Sequence, residues 1–210
     1  MRAMILAAGR GERMRPLTDT TPKPLLQVAG KPLIHYHLEA LHRVGVDRVV
    51  INLGHLGQQI RAALGQGEQF GLAIDYSDEG DNILETAGGI VKALPLLGDA
   101  PFIVDFAALP ASIDSLAHLV MVANPAHHPR GDFALEEGLL FNEGEHSLTY
   151  SGIGVYQPAL FQNLLPEPQP LAPLLRQAAE QRRLGGQYHA GRWDDVGTPE
   201  RLNRLNSSVV

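Results

Sequence analysis

The sequence predicts an α/β fold, in which a Rossmann-like wound, mixed sheet is flanked by helices. In the first half, short apolar segments alternate with helical patterns, which is typical of parallel strands joined by crossover helices. In the second half, short strands are separated by turn residues with little helix between them, which predicts an antiparallel elaboration of the same sheet. The length of 210 residues suits one compact domain, so residues 1–210 are predicted to form a single domain with halves at about 1–110 and 111–210.

The first half is predicted to begin with a buried strand over residues 3–8, followed by a loop rich in glycine and arginine that extends to about Val28. A helix comes next, because Pro32 suits a first helical turn, Ile34 and Leu38 share one face, and Gly45 provides a stop signal. The other elements predicted in this half are strands at residues 49–53, 72–76 and 101–104 and helices at residues 56–64 and 86–94.

The second half is predicted to contain strands at residues 119–123, 133–136, 139–142 and 148–156. Residues 165–170 hold three prolines and are predicted to form a loop. An amphipathic helix over residues 171–181 and a closing helix over residues 198–206 complete the prediction.

Composition excludes several classes of function. The chain has 23 acidic and 17 basic residues, and this balance argues against nucleic acid as a partner. It has no cysteine, which excludes disulfides and thiolate metal sites and leaves Mg²⁺ or Mn²⁺ as the first choice for any metal. No apolar run approaches the roughly 18 residues of a membrane helix, and the short apolar N-terminal run leads directly into charged residues, so we predict a cytoplasmic protein without a membrane partner.

The loop after the first strand holds the residues best suited to bind phosphate. Gly9 and Gly11 lack a Cβ and allow backbone N–H groups to approach an anion, while Arg13 and Lys23 supply positive charge. The loop is neither a Walker loop, which ends in Gly-Lys-Ser/Thr, nor a dinucleotide fingerprint, which requires a small residue where Met14 stands. A tight strand-to-loop turn without a ligand is the alternative interpretation.

The whole segment, Leu-Ala-Ala-Gly-Arg-Gly-Glu-Arg-Met-Arg-Pro-Leu-Thr at residues 6–18 followed by Pro-Lys-Pro at residues 22–24, resembles the signature of the sugar-nucleotide pyrophosphorylases, a family of nucleotidyltransferases. The resemblance implies a GT-A-like fold with a nucleotide-binding first half and a sugar-phosphate-binding second half. It also implies that the nucleoside triphosphate phosphates are lined by Gly9, Gly11, Glu12 and Arg13, that Lys23 holds the α-phosphate region, and that Arg13 and Lys23 act in catalysis.

Residues 84–89, Leu-Glu-Thr-Ala-Gly-Gly, resemble the base-recognition segment of this family, usually written Leu-Gly-Thr-Ala-Gly. The resemblance implies that Glu79, Thr86 and Gly88 bind the nucleotide. Glu85 replaces the usual glycine, which changes the backbone where the base is contacted. The alternative is a helix N-terminus with Thr86 near the cap and glycines for close packing.

Residues 193–199, Trp-Asp-Asp-Val-Gly-Thr-Pro, resemble the family's metal-binding signature. The resemblance implies that Asp195 binds Mg²⁺, with Mn²⁺ as an alternative, which agrees with the preference of these ions for oxygen ligands. In the other interpretation Asp195 caps the helix that begins near Pro199, although Thr198 suits that cap better.

The family pairs the aspartate that Asp195 matches with another in Asn-Gly-Asp, which has no counterpart after the strand at residues 101–104, where the chain continues Asp105-Phe106. Two interpretations remain: Asp105 is the metal ligand in a genuinely shortened loop, or a segment that contains the motif is missing between Val104 and Asp105 in this sequence and Asp105 lies downstream of the true ligand. We favour the second, because family members often carry a further Asp-Phe-x-x-Leu shortly after the motif.

Residues 124–133, Asn-Pro-Ala-His-His-Pro-Arg-Gly-Asp-Phe, resemble an element of the bacterial N-acetylmuramate-1-phosphate uridylyltransferases and of related mannose-1-phosphate guanylyltransferase-like proteins. A loop is the better prediction here than a histidine metal site, because adjacent histidines point in different directions. Many relatives also use Glu-Lys-Pro to bind the sugar phosphate, but the lysines of this chain are Lys23, Lys31 and Lys92. Glu145 and Gly152 are therefore the sugar-site candidates, and metal or arginine must hold the acceptor phosphate.

The resemblance implies a nucleotidyltransferase that makes a UDP-sugar and pyrophosphate from UTP and a sugar-1-phosphate, with N-acetylmuramate 1-phosphate, an intermediate of peptidoglycan recycling, as the leading acceptor. The alternatives are an enzyme that uses GTP or dTTP with mannose- or glucose-1-phosphate and a nucleotide-binding regulatory protein without catalysis. The sequence does not indicate the oligomeric state.

Overall fold

The computed structural model describes residues 1–104 and 113–208, and Asp105 lies outside this part of the chain. The strands are β1 Arg2–Ile5, β2 Gln27–Val28, β3 Lys31–Pro32, β4 Arg48–Leu53, β5 Ala73–Asp78, β6 Phe102–Val104, β7 Ala117–Val122, β8 Phe133–Glu136, β9 Leu139–Phe141, β10 Ser147–Tyr156 and β11 Leu184–Tyr188. The helices are α1 Leu33–Arg43, α2 Gly57–Leu64, α3 Glu85–Leu97, α4 Ala172–Glu180 and α5 Pro199–Ser208.

Nine strands form one mixed sheet in the order β5-β4-β1-β6-β10-β7-β11-β9-β8. The first four strands in this order are parallel, with Ala3 opposite Val49 and Ile103, and Val49 in turn opposite Ile74. Such neighbours require crossover connections, and α1, α2 and α3 supply them. The alternation of strands and helices predicted for the first half is confirmed.

The second half adds its strands around β10, which lies between β6 and β7 and is antiparallel to both. β8 and β9 pair in an antiparallel manner, as predicted, but β11 is parallel to β7 over five residue pairs. The sequence does not predict β11, because Gly185 and Gly186 have low β-propensity. A Cβ on Gly186 would lie 2.7 Å from Leu140 Cγ, so close packing against β9 explains that glycine.

The apolar core lies on both faces of the sheet. Met4 and Val50 pack with α3 and α4 on one face, whereas Ala3, Ile5 and Val49 pack with α1 and α2 on the other. This alternation follows from the period of two in strands, and burial on both faces explains why β1 and β4 are almost continuously apolar.

β1 ends at Ile5, three residues before the predicted end. Beyond this point the ladder of backbone hydrogen bonds is replaced by a side chain: the N–H of Ala7 donates to Oδ1 of Asn52 at 2.6 Å. The phosphate-loop candidate therefore starts from a strand end that is fixed by β4.

Helix α5 packs on the small hairpin of β2 and β3. Asn206 accepts a hydrogen bond from the Ala29 N–H at 2.8 Å and donates to the carbonyl of Gln27 at 3.2 Å. Leu202 joins Met14, Leu26 and Val28 in a separate apolar cluster. The segment that precedes α5 is thereby held beside the loop that follows β1.

Within residues 1–104 and 113–208, no helix has both the length and the apolar character needed to cross a bilayer.

Candidate active site

A cavity of about 970 Å³ lies at the carboxyl ends of the central strands. Its wall includes Ile5 and Leu6 at the end of β1, residues of the first turns of α1, Ser151 and Ile153 of β10, and the segment 192–196. In open α/β sheets this edge is the usual place for ligands. Lys23 and Asp195, which are 172 positions apart in the sequence, line the same cavity.

The loop after β1 is shaped around two glycines. Gly11 has φ 65°, and a Cβ there would lie 2.8 Å from Thr18 Cγ2, so both the backbone conformation and the packing favour glycine. The buried Thr18 hydroxyl donates to the Gly11 carbonyl at 2.9 Å, and the Met14 N–H donates to the same oxygen at 2.7 Å. No heavy atom outside its own chain neighbours lies within 4 Å of a Cβ built on Gly9, so the approach to this backbone is open in the described structure.

The charged side chains of this loop differ in their ion pairs and in their exposure. Glu12 and Asp19 both pair with Arg15, at 3.4 Å and 3.0 Å. Arg13 is exposed and forms no ion pair with a described residue, whereas Lys23 is half-buried in the cavity wall. Among the phosphate candidates, Lys23 is thus the one in the cavity wall; Gly9, Gly11, Glu12 and Arg13 belong to the adjoining loop.

Asp195 is held by two elements that are remote in sequence. Its Oδ2 lies 2.6 Å from Nη1 of Arg201 on α5 and 3.6 Å from Nε2 of His127. The neighbouring Asp194 instead pairs with Arg192 at 2.8 Å, and the indole N–H of Trp193 donates to the Ser151 carbonyl at 3.2 Å. The last contact attaches this segment to β10.

Asp195 is not the cap of α5. The Thr198 hydroxyl oxygen accepts from the Arg201 N–H at 3.4 Å. Glu200 also lies at the start of this helix. Its carboxylate accepts hydrogen bonds from the Glu200 backbone N–H and from the Thr198 side chain, and these lower its pKa. Thr198 therefore performs the capping role, and the Asp195 carboxylate remains in the cavity wall.

No group of three or more histidine, aspartate or glutamate side chains within the described ranges is arranged to hold a metal ion. Asp194 and Asp195 are the carboxylates of the cavity wall, and each is paired with an arginine. Mg²⁺ typically takes one or two carboxylates together with substrate phosphates and water, so Asp195 fits as a partial donor set. Asp105, the other predicted ligand candidate, lies outside the described ranges.

The base-recognition candidates do not line the cavity. Glu79 is buried, and a Cβ on Gly88 would lie 2.0 Å from the Glu167 carbonyl oxygen, so Gly88 packs against the proline-rich loop. The Ala87 N–H at the start of α3 donates to the Gln169 carbonyl at 2.9 Å. Thr86 lies in the first turn of α3 and is half-buried. The close packing expected for these glycines is present.

Glu85 occupies a backbone conformation that suits glycine, with φ 57°. Left-handed backbone costs a residue with a Cβ about 1 kcal/mol, so we expect Glu85→Gly to raise the free energy of unfolding by up to about 1 kcal/mol. Urea denaturation measures this change. The matched control, Glu180→Gly at the end of α4, removes the same side chain from an ordinary helical position and is expected to lower stability by about 1 kcal/mol. Equal losses in both variants would contradict the strain assigned to Glu85.

The two sugar-site candidates lie in different places. Gly152 has φ 91° and lies between two cavity-lining residues, where the pairing of β10 with β7 shifts register between Tyr150 and Gly154. Such a bulge redirects the strand, and Ser151 and Ile153 line the cavity while Gly152 itself does not. Glu145 is exposed in the turn before β10 and is not part of the cavity wall.

The histidine segment forms a loop, as predicted. His128 lies 3.1 Å from Asp132, whose other oxygen accepts from the Tyr150 N–H at 2.8 Å. Asn124 donates to the Ser147 carbonyl at 2.8 Å. These contacts fix the loop and bring His127 to Asp195, a proximity that the sequence did not indicate.

The fold and the cavity together define an α/β protein in which a glycine-rich loop adjoins a cavity whose wall holds a lysine and an aspartate. Comparison with known proteins identifies the group: residues 2–123 match the model of the nucleotidyl transferase family, and the chain belongs to this family and is an enzyme of the nucleotidyltransferase class.

Two curated relatives and one solved structure illustrate the similarity. The N-acetylmuramate alpha-1-phosphate uridylyltransferase of Neisseria meningitidis is 51% identical over 225 aligned positions, which cover 99% of this chain and 97% of the relative. The enzyme of the same name from Caulobacter vibrioides is 36% identical over 94% of this chain and 92% of its own length. A UDP-glucose pyrophosphorylase complexed with UDP-glucose shares the fold, with a TM-score of 0.73 at 18% identity over 99% of this chain and 97% of that one. The predicted nucleotidyltransferase fold is confirmed.

Proposed function

We propose that this protein transfers a uridylyl group from UTP to N-acetylmuramate α-1-phosphate. An oxygen of the sugar phosphate attacks the α-phosphorus of UTP in line, the bond to the β-phosphate oxygen breaks, and the products are the UDP-sugar and pyrophosphate. The observation that carries the proposal is the 51% identity with an N-acetylmuramate alpha-1-phosphate uridylyltransferase over nearly the whole of both chains.

On this proposal the loop after β1 binds the triphosphate. Gly9 and Gly11 present backbone N–H groups, and Glu12 orders the loop through its pair with Arg15. The exposed guanidinium of Arg13 and the ammonium of Lys23 stabilise the charge that develops on the phosphates during transfer. The attacking phosphate is already ionised near neutral pH, so the reaction requires positioned charges rather than a general base.

Thr86 and Gly88 are assigned to the uracil side of the nucleotide because residues 84–89 resemble the base-recognition segment of the family. Thr86 lies in the first turn of α3 and is only half-buried, so its side chain is partly accessible to a ligand. On the same proposal residues 1–110 and 111–210 remain halves of one domain, and the second half binds the sugar.

The proposal includes one divalent cation, Mg²⁺ or Mn²⁺, held by Asp195 and by the phosphates of the substrates. When bound, this cation neutralises phosphate charge. Within the chain, Arg201 and His127 fix the carboxylate that would receive it. The sequence contains no Asn-Gly-Asp, so Asp195 is the one protein ligand that the proposal names. The alignment with the Neisseria protein has 225 positions, more than the 210 residues here, so that protein carries residues without a counterpart in this chain, in line with an absent stretch.

The acceptor is assigned to the wall formed by β10 and the segment 192–196. Ser151 and Ile153, on either side of Gly152, line the cavity there, and Arg192 contributes a guanidinium whose Nε pairs with Asp194. Arg192 is the candidate for the acceptor phosphate, since no lysine follows Lys92. Glu145 is assigned to the sugar only if the turn before β10 moves toward the cavity when substrate binds. We assign the reaction to peptidoglycan recycling, because the relatives are named for N-acetylmuramate α-1-phosphate, and to the cytoplasm, where UTP is made.

The proposal is tested by measuring pyrophosphate release with UTP, GTP and dTTP against N-acetylmuramate, N-acetylglucosamine, glucose and mannose 1-phosphates. We expect kcat/KM to be at least about tenfold higher for UTP with N-acetylmuramate 1-phosphate than for any other pair, because a fitted polar site rejects substrates that leave its groups unpaired. A preference for GTP with mannose 1-phosphate would replace the proposal with the guanylyltransferase alternative. Nucleotide binding without pyrophosphate release from any pair would contradict catalysis.

A further inference from the structure

A buried polar bridge links the two segments that the proposed function assigns to the nucleotide. Asn52 at the end of β4 and Glu79 just after β5 are 3% and 6% exposed. Oδ1 of Asn52 accepts from the Ala7 N–H at 2.6 Å, and Nδ2 of Asn52 donates to Oε1 of Glu79 at 2.7 Å. Oε2 of Glu79 accepts from the Leu84 N–H at 2.9 Å. A single chain of three hydrogen bonds thus joins the phosphate loop to the start of α3.

Both ends of this chain are fixed backbone donors. Between them Asn52 contributes one acceptor and one donor, and Glu79 contributes two acceptors, so every contact matches a donor with an acceptor. Glutamine in place of Glu79 would leave two donors facing each other in one of the contacts, whichever way the two amides turn. The bridge therefore requires the carboxylate in particular.

Gly89 of α3 leaves room for the bridge. A Cβ on Gly89 would lie 2.6 Å from Oε1 of Glu79 and 3.0 Å from Nδ2 of Asn52, so α3 approaches the bridge only because residue 89 is glycine. Glu79 forms no ion pair with any described residue, and a buried carboxylate in this situation is costly unless its hydrogen bonds are complete. With both oxygens hydrogen-bonded inside the protein and only 6% of the residue exposed, Glu79 does not present its carboxylate to a ligand.

We propose that Asn52 and Glu79 are positioning residues, which do not contact the nucleotide but set the spacing between the phosphate loop and the base-recognition segment. This inference rests on the proposed function, because it takes residues 9–13 and 84–88 as the parts that hold UTP. It gives Glu79 a different role from the direct contact that the family resemblance implies.

The test uses Glu79→Gln, Asn52→Asp and the double variant. Each single variant creates one mismatched contact: two donors in Glu79→Gln and two acceptors in Asn52→Asp. The double variant restores a donor and an acceptor in all three contacts, because the introduced aspartate would offer two acceptors, while the introduced glutamine would donate to that aspartate and accept from the Leu84 N–H. We expect each single variant to raise the dissociation constant for UTP about tenfold, and the double variant to return to within about threefold of wild type.

Calorimetry with UTP and Mg²⁺ measures binding, and urea denaturation of the same samples measures stability. Glu68→Gln, a matched change at an exposed position, is the control and leaves both unchanged. Single variants that lose stability but bind UTP as wild type does would give the bridge a structural role and overturn the proposal. A double variant that binds no better than the singles, or does not fold, would overturn the hydrogen-bond matching. Failure of wild type to bind UTP would instead refute the proposed function, a result distinct from both.

Discussion

Replacement of Lys23 with alanine is expected to lower kcat about a hundredfold while the protein stays folded. Lys23 is half-buried in the cavity wall, where an ammonium close to the phosphates is less screened than at the surface. Loss of one preorganised charge of this kind typically raises the activation free energy by about 3 kcal/mol. Steady-state pyrophosphate release at saturating substrates measures the change, and circular dichroism confirms the fold.

Lys92 provides the matched control for this prediction. It is exposed on α3, away from the cavity, so Lys92→Ala removes the same charge from the chain without removing it from the site. We expect its kcat to remain within about twofold of wild type. A similar kcat for Lys23→Ala and Lys92→Ala would remove Lys23 from the catalytic machinery.

Replacement of Asp195 with asparagine is expected to lower kcat by about a hundredfold or more. The substitution keeps the shape of the side chain but removes the charge that would hold a divalent cation, and it leaves Arg201 without its carboxylate partner at 2.6 Å. Electron paramagnetic resonance with Mn²⁺ and UTP gives a readout independent of turnover, and weaker Mn²⁺ binding in the ternary complex is expected.

Asp194→Asn is the control, because this neighbouring aspartate pairs with Arg192 and not with Arg201. Its Mn²⁺ binding is expected to match that of wild type. Equal loss of Mn²⁺ binding in both variants would show that the segment, rather than the Asp195 carboxylate, is responsible. If Asp195→Asn unfolds at a lower urea concentration, Arg201→Gln reports the stability effect of the ion pair alone.

Local signals in the sequence were sufficient for the elements whose packing is regular. Ile34, Leu38 and Leu41 recur on one face of α1 and are all at most 1% exposed, and Gly45 after the helix has φ 81°. Such a helix can be predicted from the sequence because its apolar residues and its stop signal lie within a few turns of each other.

The remaining parts of the fold and of the site depend on contacts between segments that are far apart in sequence. A single sequence does not reveal such contacts. β11 contains two glycines that weaken its strand signal, and it is a strand because β7 and β9 lie on either side of it. The environment of Asp195 is another example, since Arg201 and His127 reach it from separate elements. Family motifs identified Asp195 and Glu79 as important positions, but only the burial of Glu79 separates a positioning role from direct contact.

The position of β10 has a consequence for how the molecule folds. This strand lies between β6 and β7, so the parallel strands of the first half and the strands of the second half have no shared hydrogen-bonded edge until residues 147–156 are inserted. Contacts between residues so far apart in sequence raise the contact order, and folding slows as contact order rises. Residues 147–156 therefore couple the two halves of the sheet, because the edges of β6 and β7 both obtain their backbone partner from this strand.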